Sequence, residues 1–365
     1  TTGSFVAVAT AKREAIGTRI QRGGCHRRNP NTGAVRKAGM TRVDVGSRLH
    51  FGFGNLSLAH ERLYGALGVA LDRPRLSLLA EPADRVAAPE RCQPAVETVC
   101  ELLELPGVTV TVTDPLPQHV GLGSGTQLAL AVAVAVADAY DRSVDVREFA
   151  PKLGRGGRSG IGVATFEQGG FVLDGGHPTA RFTTDRPVDG AWTVPPVAAR
   201  HRIPDDWRFL VVLPDADPGR SGETEEESIR GVVERADPDP ADRIAGLLNR
   251  RVLPAIAVGN ADRFGSAVAE IGRLNGTWYA DEQGGVYRPP VGQLVGALDA
   301  EPAVYGAGQS SWGPAVYGIT DTEHAAAARR AGEAALDDAG LDGRVVIAEG
   351  RNRGVSVDSR RRLPE

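Results

Sequence analysis

Residues 121–127 read Gly-Leu-Gly-Ser-Gly-Thr-Gln. They follow Pro115-Leu116-Pro117 and run straight into an apolar stretch, Leu128 to Ala137. Three glycines in five residues let a backbone approach a ligand with no Cβ in the way. A helix that starts behind such a loop turns its unpaired N–H groups, and the positive end of its dipole, toward whatever the loop holds. The stretch therefore predicts an anion site over Gly121, Gly123, Ser124, Gly125 and Thr126, with phosphate or pyrophosphate as the natural anion. The segment behind it, Gln127 to Tyr140, contains Ala-Val-Ala-Val-Ala-Val. Period two carries little information when both alternating residues are apolar. Length, alanine content and the lack of internal breakers favour a buried helix.

Around this loop the chain reads as a mixture of strands and helices. Arg42 to Phe53 alternates and is rich in β-formers, with Arg48 and His50 on one face and Leu49 and Phe51 on the other. Leu67 to Leu71 and Leu76 to Leu79 read as two strands joined by a turn at Asp72-Arg73-Pro74. Ala95 to Leu105 has helical spacing, and Val108 to Val112 alternates as a strand. Phe171 to Leu173 starts another, with Arg181 to Thr183 as its expected partner. The proline-rich stretch from Val194 to Pro204 marks a boundary, which divides the chain into residues 41–200 and 201–365. Beyond it come a strand at Phe209 to Leu213, an acidic helix from about Glu223 and a helical span within residues 241–273. A strand at Ala303 to Tyr305, a helix at Glu323 to Leu336 and a strand at Val345 to Ala348 complete the pattern. Two α+β halves fit this order better than a regular βα repeat.

Composition bounds the function. The chain has 365 residues, 41% hydrophobic and 24% charged, which suits a globular protein of one large or two ordinary domains. No stretch reaches membrane-spanning length, and Cys25, Cys92 and Cys100 lack metal-ligand spacing. Three isolated thiols fit a reducing, cytoplasmic compartment. Residues 1–40 hold eight basic side chains and one acid, Glu14, and read as a disordered leader ahead of Met40, the only methionine. Translation from Met40 is the preferred reading, with a nucleic-acid arm or targeting peptide as the alternative. The remainder is acidic and uses arginine almost to the exclusion of lysine, as in a high-GC, salt-adapted, archaeal-type host.

Three further loops could carry chemistry. In Gly154 to Gly162, Arg155 and Arg158 could clamp phosphate oxygens, or simply be solvated. In Gly169 to His177, Asp174 could hold a metal or act as a base, or merely form a turn before glycine; His177 is balanced between a site and a surface turn. Gly306 to Gly313 offers Gln309, Ser310 and Ser311 as a second wall of a cleft. Glu225-Glu226-Glu227 reads as a solvated helix start. The dinucleotide fingerprint and the Walker loop both fail, the first for want of a preceding strand and terminal acid, the second for want of lysine. There is no Ser/His/Asp signature and no zinc spacing.

With Gly46-Ser47-Arg48, Pro117 to Thr126 and Gly306 to Ser311 in order, the chain resembles the GHMP superfamily, named for galactokinase, homoserine, mevalonate and phosphomevalonate kinases. Arg48-Leu49-His50, Gly121 to Gln127, Gly154 to Gly162, Gly169 to His177 and Gln309 to Pro314 are most similar to its β-ribofuranosylaminobenzene 5′-phosphate synthase family. The resemblance implies an α+β fold, with a left-handed βαβ N-terminal domain, a ferredoxin-like C-terminal domain and the ligand between them. It implies a Mg2+-dependent, dimeric enzyme of methanopterin biosynthesis that joins 4-aminobenzoate or 4-hydroxybenzoate to phosphoribosyl pyrophosphate, releasing CO2 and pyrophosphate. Under it Arg48, His50 and Asp174 are the catalytic candidates. Gly121, Gly123, Ser124, Gly125, Thr126, Arg155 and Arg158 bind phosphate. His177, Gln309, Ser310 and Ser311 bind substrate, and Thr126 and Asp174 bind the metal. No nucleic acid or membrane partner is expected. Gly125, where the kinases carry a second serine, and Tyr305 before the third motif favour the synthase. An ATP-binding small-molecule kinase, with Asp174 as base, is the alternative; a binding protein without turnover is a third reading.

Overall fold

A computed structural model describes residues 39–219 and 223–360. The expected leader lies outside them, apart from Gly39 and Met40. Two long strands form the spine, β1 (Met40–Asn55) and β2 (Arg62–Pro82), paired antiparallel along their lengths. The two strands expected at 67–71 and 76–79 are thus one. Asp72-Arg73-Pro74 does not turn the chain, because β1 pairs with β2 on both sides of it, Arg48 with Ala70 and Val45 with Leu76. A register shift between Gly46 and Arg48 absorbs the irregularity as a bulge does.

The sheet is completed by β3 (Val108–Asp114), β4 (Phe171–Asp174), the short β5 (His177–Pro178), β6 (Val197–His201) and a strand from the far end of the chain. β4 pairs with β2 and β6, so Arg181 to Thr183 is not its partner. That segment is a turn whose Phe182 ring stacks on His177, with centroids 3.8 Å apart. Four helices belong to this half: α1 (Gln93–Leu102), α2 (Ser124–Ala139), α3 (Val146–Lys152) and α4 (Ile161–Gln168). α2 is the helix predicted behind the glycine loop, and it is buried on nearly every side. That burial explains an apolar run with no polar face.

The second sheet uses β7 (Trp207–Pro214), β8 (Gly306–Gln309), β9 (Val316–Asp321) and β10 (Gly343–Glu349), in the order β10-β7-β9-β8, all antiparallel. Between β7 and β8 lie α5 (Glu223–Arg235), α6 (Asp239–Leu247), a π-helical turn (Leu248–Val252), α7 (Leu253–Val258), α8 (Ala261–Gln283) and α9 (Val291–Asp299); α10 (Ala325–Asp338) joins β9 to β10. This is the ferredoxin-like order expected for the C-terminal half. Gly306 and Gly308 lie within β8, where the sequence suggested a turn. A Cβ at Gly306 would stand 2.2 Å from the Gly265 carbonyl of α8, and one at Gly308 would stand 2.5 Å from the Tyr317 hydroxyl. Those glycines permit close packing. The chain then returns to the first sheet, where β11 (Ser356–Arg360) pairs with β1.

The two sheets are tied by an aromatic knot. Phe264 of α8 meets Phe51 of β1 at 6.0 Å, Phe171 of β4 at 5.7 Å and Trp207 of β7 at 4.8 Å; Phe51 also meets Tyr317 of β9 at 4.9 Å. All five rings are buried, and aromatic contacts of this kind add specificity to ordinary burial. The knot fixes how β1 faces the second half, and β1 carries Arg48 and His50. Among the described residues no helix is long and apolar enough to cross a membrane.

Candidate functional site

A cleft of about 750 Å³ lies where four segments of sequence meet: β1 at Arg48 and His50, the 121–126 loop, the 154–159 loop and residues 311–313. Its size suits a phosphorylated small molecule. Backbone hydrogen bonds join three of these walls. Arg48 N–H donates to the Leu122 carbonyl at 3.1 Å, Ser311 N–H to that of His50 at 3.3 Å, and Ala315 N–H to that of Val120 at 3.1 Å. Ser310, fully buried, accepts from His50 N–H at 3.1 Å and donates its hydroxyl to the Gly121 carbonyl at 2.7 Å. The predicted substrate ligand Ser310 is therefore a fastener behind the wall, while Ser311 lines the cleft.

The glycine loop adopts the geometry an anion site needs. Gly121 and Gly123 have φ values of 87° and 76°, the left-handed region that other residues enter at a cost. Gly123 is the N-cap of α2 and no side chain caps the helix. The amides of Ser124, Gly125 and Thr126 thus begin a helix with no intrahelical acceptor, and all three residues line the cleft.

Arginine dominates the charge. Arg48, Arg155, Arg158 and Arg186 line the cleft against Glu225 and Glu226. Arg48 donates one N–H to the Gly121 carbonyl at 3.0 Å, and burial pushes its guanidinium down to about 10. Burial likewise lowers Arg155. The Nε atoms of Arg48 and Arg155 are buried and have no hydrogen-bond acceptor among the described residues. The expected Arg155–Arg158 clamp is divided. Arg158 is held by Glu226 and, at 3.8 Å, by Glu225, whereas no ion pair engages Arg155 among the described residues. His50 is neutral, kept well below its ordinary value by burial and by the neighbouring Arg48.

Asp174 and His177 do not line the cleft. Asp174 is 2% exposed; its carboxylate accepts Gly160 N–H at 2.7 Å and Gly176 N–H at 2.9 Å. Burial raises it to about 6, against those stabilising hydrogen bonds. Where the sequence suggested a base and metal ligand, the structure has a carboxylate that pins the 154–160 loop to the end of β4. His177 supports the same loop, hydrogen-bonded through Nε2 to the Gly156 carbonyl at 3.1 Å. Gln309 faces an adjoining recess. Among the described residues no group of three or more His, Cys, Asp and Glu side chains is poised around a metal.

Burial lowers His177 to about 4. The folded protein thus binds that proton more weakly than the unfolded chain, whose histidine titrates near 6.5. The neutral ring's contribution is complete above pH 6.5 and is lost as pH falls from there toward 4, with a slope of up to about 1.4 kcal/mol per pH unit. Urea unfolding of His177→Phe should show a weaker loss of stability between pH 6.5 and 5 than the parent protein. Equal losses would mean another group controls that limb.

Sequence reasoning missed Glu225 and Glu226, which it assigned to solvent. Trp312 Nε1 donates to Glu225 at 3.2 Å, and burial raises that carboxyl. It also missed Arg186 and Phe53 as wall residues. The signal available was weak: a run of glutamates says nothing of an arginine some 70 residues earlier.

Over most of its length the chain is similar to known proteins. The GHMP kinases N terminal domain matches residues 90–170 and the GHMP kinases C terminal domain matches residues 252–338. The beta-ribofuranosylphenol 5'-phosphate synthase of Methanothermobacter thermautotrophicus is 32% identical over 331 residues, covering 86% of this chain and 97% of that protein. The protein of the same name from Methanocaldococcus jannaschii is 26% identical over 339 residues, covering 86% and 99%. Among solved structures, Lactococcus lactis galactokinase superposes with a TM-score of 0.61 at 12% identity, covering 87% of this chain and 95% of that one. Streptococcus pneumoniae phosphomevalonate kinase gives 0.60 at 13%, covering 86% and 100%. At such identities the structures attest the fold alone.

Proposed function

We infer the reaction from one premise: the chain belongs to the beta-ribofuranosylphenol 5'-phosphate synthase family and has the two-domain α+β fold of the GHMP superfamily. It is a pentosyltransferase. Its donor is phosphoribosyl pyrophosphate and its acceptor a para-substituted benzoate. The relatives' name speaks of a phenol, which favours 4-hydroxybenzoate over 4-aminobenzoate. The bond between ribose C1 and the diphosphate oxygen breaks, and the diphosphate leaves with the electron pair. The aromatic carbon bearing the carboxylate supplies the pair for the new C–C bond, pushed by the para substituent. The carboxylate departs as CO2, returning its bonding pair to the ring.

One observation carries this reading: two half-buried arginines, Arg48 and Arg155, whose buried Nε donors have no acceptor among the described residues, stand beside the uncapped start of α2. Donors fixed before the charge arrives stabilise a leaving diphosphate without reorganisation. The helix amides of Ser124 to Thr126 and the guanidinium groups of Arg48 and Arg155 bind it and hold the donor in place for the acceptor. Mg2+ belongs to this proposal. The cleft offers it the carboxylate of Glu225 and the hydroxyls of Ser124 and Thr126, while both oxygens of Glu226 are held by Arg158 and Arg186. Such oxygen donors suit an ion that shares its shell with substrate phosphates. When bound, it neutralises charge on the diphosphate.

Nothing in the cleft favours the kinase alternative, since Asp174, its candidate base, has both carboxylate oxygens engaged by backbone beneath the loop. Carboxyl-labelled 4-hydroxybenzoate should release labelled CO2 only when phosphoribosyl pyrophosphate and Mg2+ are present. ADP formation from ATP and a small alcohol, without CO2 release, would overturn the reading.

A further inference from the structure

A small recess of about 50 Å³ adjoins the cleft, and His50, Phe53, Ser311 and Trp312 line both spaces. Its far wall is one face of α8, including Asn275, Tyr279 and Gln283 at four-residue spacing. Several of its polar side chains are already bonded. Asn275 accepts Phe53 N–H at 2.7 Å and donates to the Phe53 carbonyl at 2.9 Å. Gln309 accepts Arg288 N–H at 2.9 Å and donates to Gln283 at 3.2 Å and to the Ser311 carbonyl at 2.9 Å. Two buried hydroxyls of the recess, those of Tyr279 and Tyr287, have no hydrogen-bond partner among the described residues. Tyr279 stands on the cleft side, its ring held edge-on at 4.8 Å to Trp312, which lines both spaces. Buried hydroxyls are nearly always bonded, so that of Tyr279 calls for a ligand.

We propose that this recess seats the para end of the aromatic acceptor and that the Tyr279 hydroxyl hydrogen-bonds the para substituent. The proposal deepens the reaction above and rests on it. Charge fixes the orientation. Among the described residues no Asp, Glu, Lys or Arg side chain lines the recess, whereas four arginines line the cleft beside it. An ionised carboxylate is stabilised at the cleft end, and the uncharged para group can enter the recess. The same orientation turns the carboxylate-bearing carbon, the one that forms the new bond, toward the ribose. The walls supply ring contacts, with His50 and Phe53 meeting edge to face at 4.8 Å. Burial holds the Tyr279 phenol in its neutral form, able to donate or accept. A hydroxyl and an amine are therefore both served, while a hydrogen or a methyl group is not.

Tyr279→Phe in the full chain keeps the ring against Trp312 and removes only the hydroxyl. In calorimetry with pyrophosphate present, the parent protein should bind 4-hydroxybenzoate about tenfold more tightly than benzoate, the worth of one buried hydrogen bond. Tyr279→Phe should bind the two equally. Its KM for the acceptor should rise about tenfold, with KM for the phosphoribosyl donor unchanged. A preserved preference in the variant, a parent protein that does not distinguish the two benzoates, or a KM change confined to the donor would each overturn the proposal. The parent comparison requires no variant to fold. Failure of the parent to release CO2 is a separate outcome that counts against the reaction, because the affinity ratio is read without turnover.

Discussion

Arg155→Met is expected to lower kcat/KM for phosphoribosyl pyrophosphate by about 10²–10³-fold, with the denaturation midpoint equal to or above that of the parent. The two halves of this result have one cause. Arg155 is half-buried beside the start of α2, no carboxylate forms an ion pair with it, and its buried Nε has no acceptor, among the described residues. Holding a cation there opposes folding, as its lowered proton affinity records. Methionine has similar reach without the charge, so the unliganded protein loses nothing by the exchange. The donor loses a charge-assisted hydrogen bond and a counter-charge, each worth a few kcal/mol to the bound diphosphate. Steady-state kinetics with both substrates and a urea titration check the two limbs. A variant with ordinary donor KM and kcat would remove Arg155 from the diphosphate site. Arg48 gives a less clean test, because it also holds the Gly121 carbonyl.

Gly121→Ala is expected to destabilise the protein by about 2–4 kcal/mol and to leave no measurable turnover. An added Cβ would lie 2.1 Å from the Ser310 carbonyl oxygen, a backbone atom that cannot swing aside, and φ at this residue is 87°. Gly190→Ala is the control. Its φ is 85°, yet a Cβ there meets nothing within 4 Å. That variant should show only the backbone cost, about 1 kcal/mol, and full activity. Thermal and urea unfolding of the pair separate conformational strain from collision. Equal effects would mean that the contact between the glycine loop and the Ser310 segment does not hold the cleft together.

Much of this site was legible because glycine is. The loop at 121–127 and the helix behind it could be read from three glycines, a proline-rich approach and an apolar run, the α+β class from the order of strands and helices, and the two-domain fold from the resemblance of its motifs to the GHMP superfamily. Three kinds of error have physical reasons. Asp174 before two glycines looks the same as a base, a metal ligand or a turn; only the positions of Gly160 and Gly176 decide among them. Pro74 reads as a break, yet β1 carries the pairing past it. Gly306 and Gly308 read as a turn, but serve the close approach of α8 and Tyr317. Glu225 and Tyr279 were not legible as site residues. Glu225 stands in a run of glutamates and Tyr279 follows the buried Trp278, and in each case the partner that gives the residue meaning is supplied by tertiary packing. For Tyr279 a faint signal existed, the repeat of Asn275, Tyr279 and Gln283 along one side of α8.

The return of β11 to β1 has a consequence for biogenesis. Residues 356–360 hydrogen-bond Met40 to Asp44, so β1 emerges during translation well before the strand that covers its outer edge. Everything between them is synthesised in that interval. Until then β1 presents open amides and carbonyls to solvent, a template for unwanted pairing with other nascent chains. Ribosome-bound intermediates truncated before residue 356 should accordingly depend more on chaperones than those that include it.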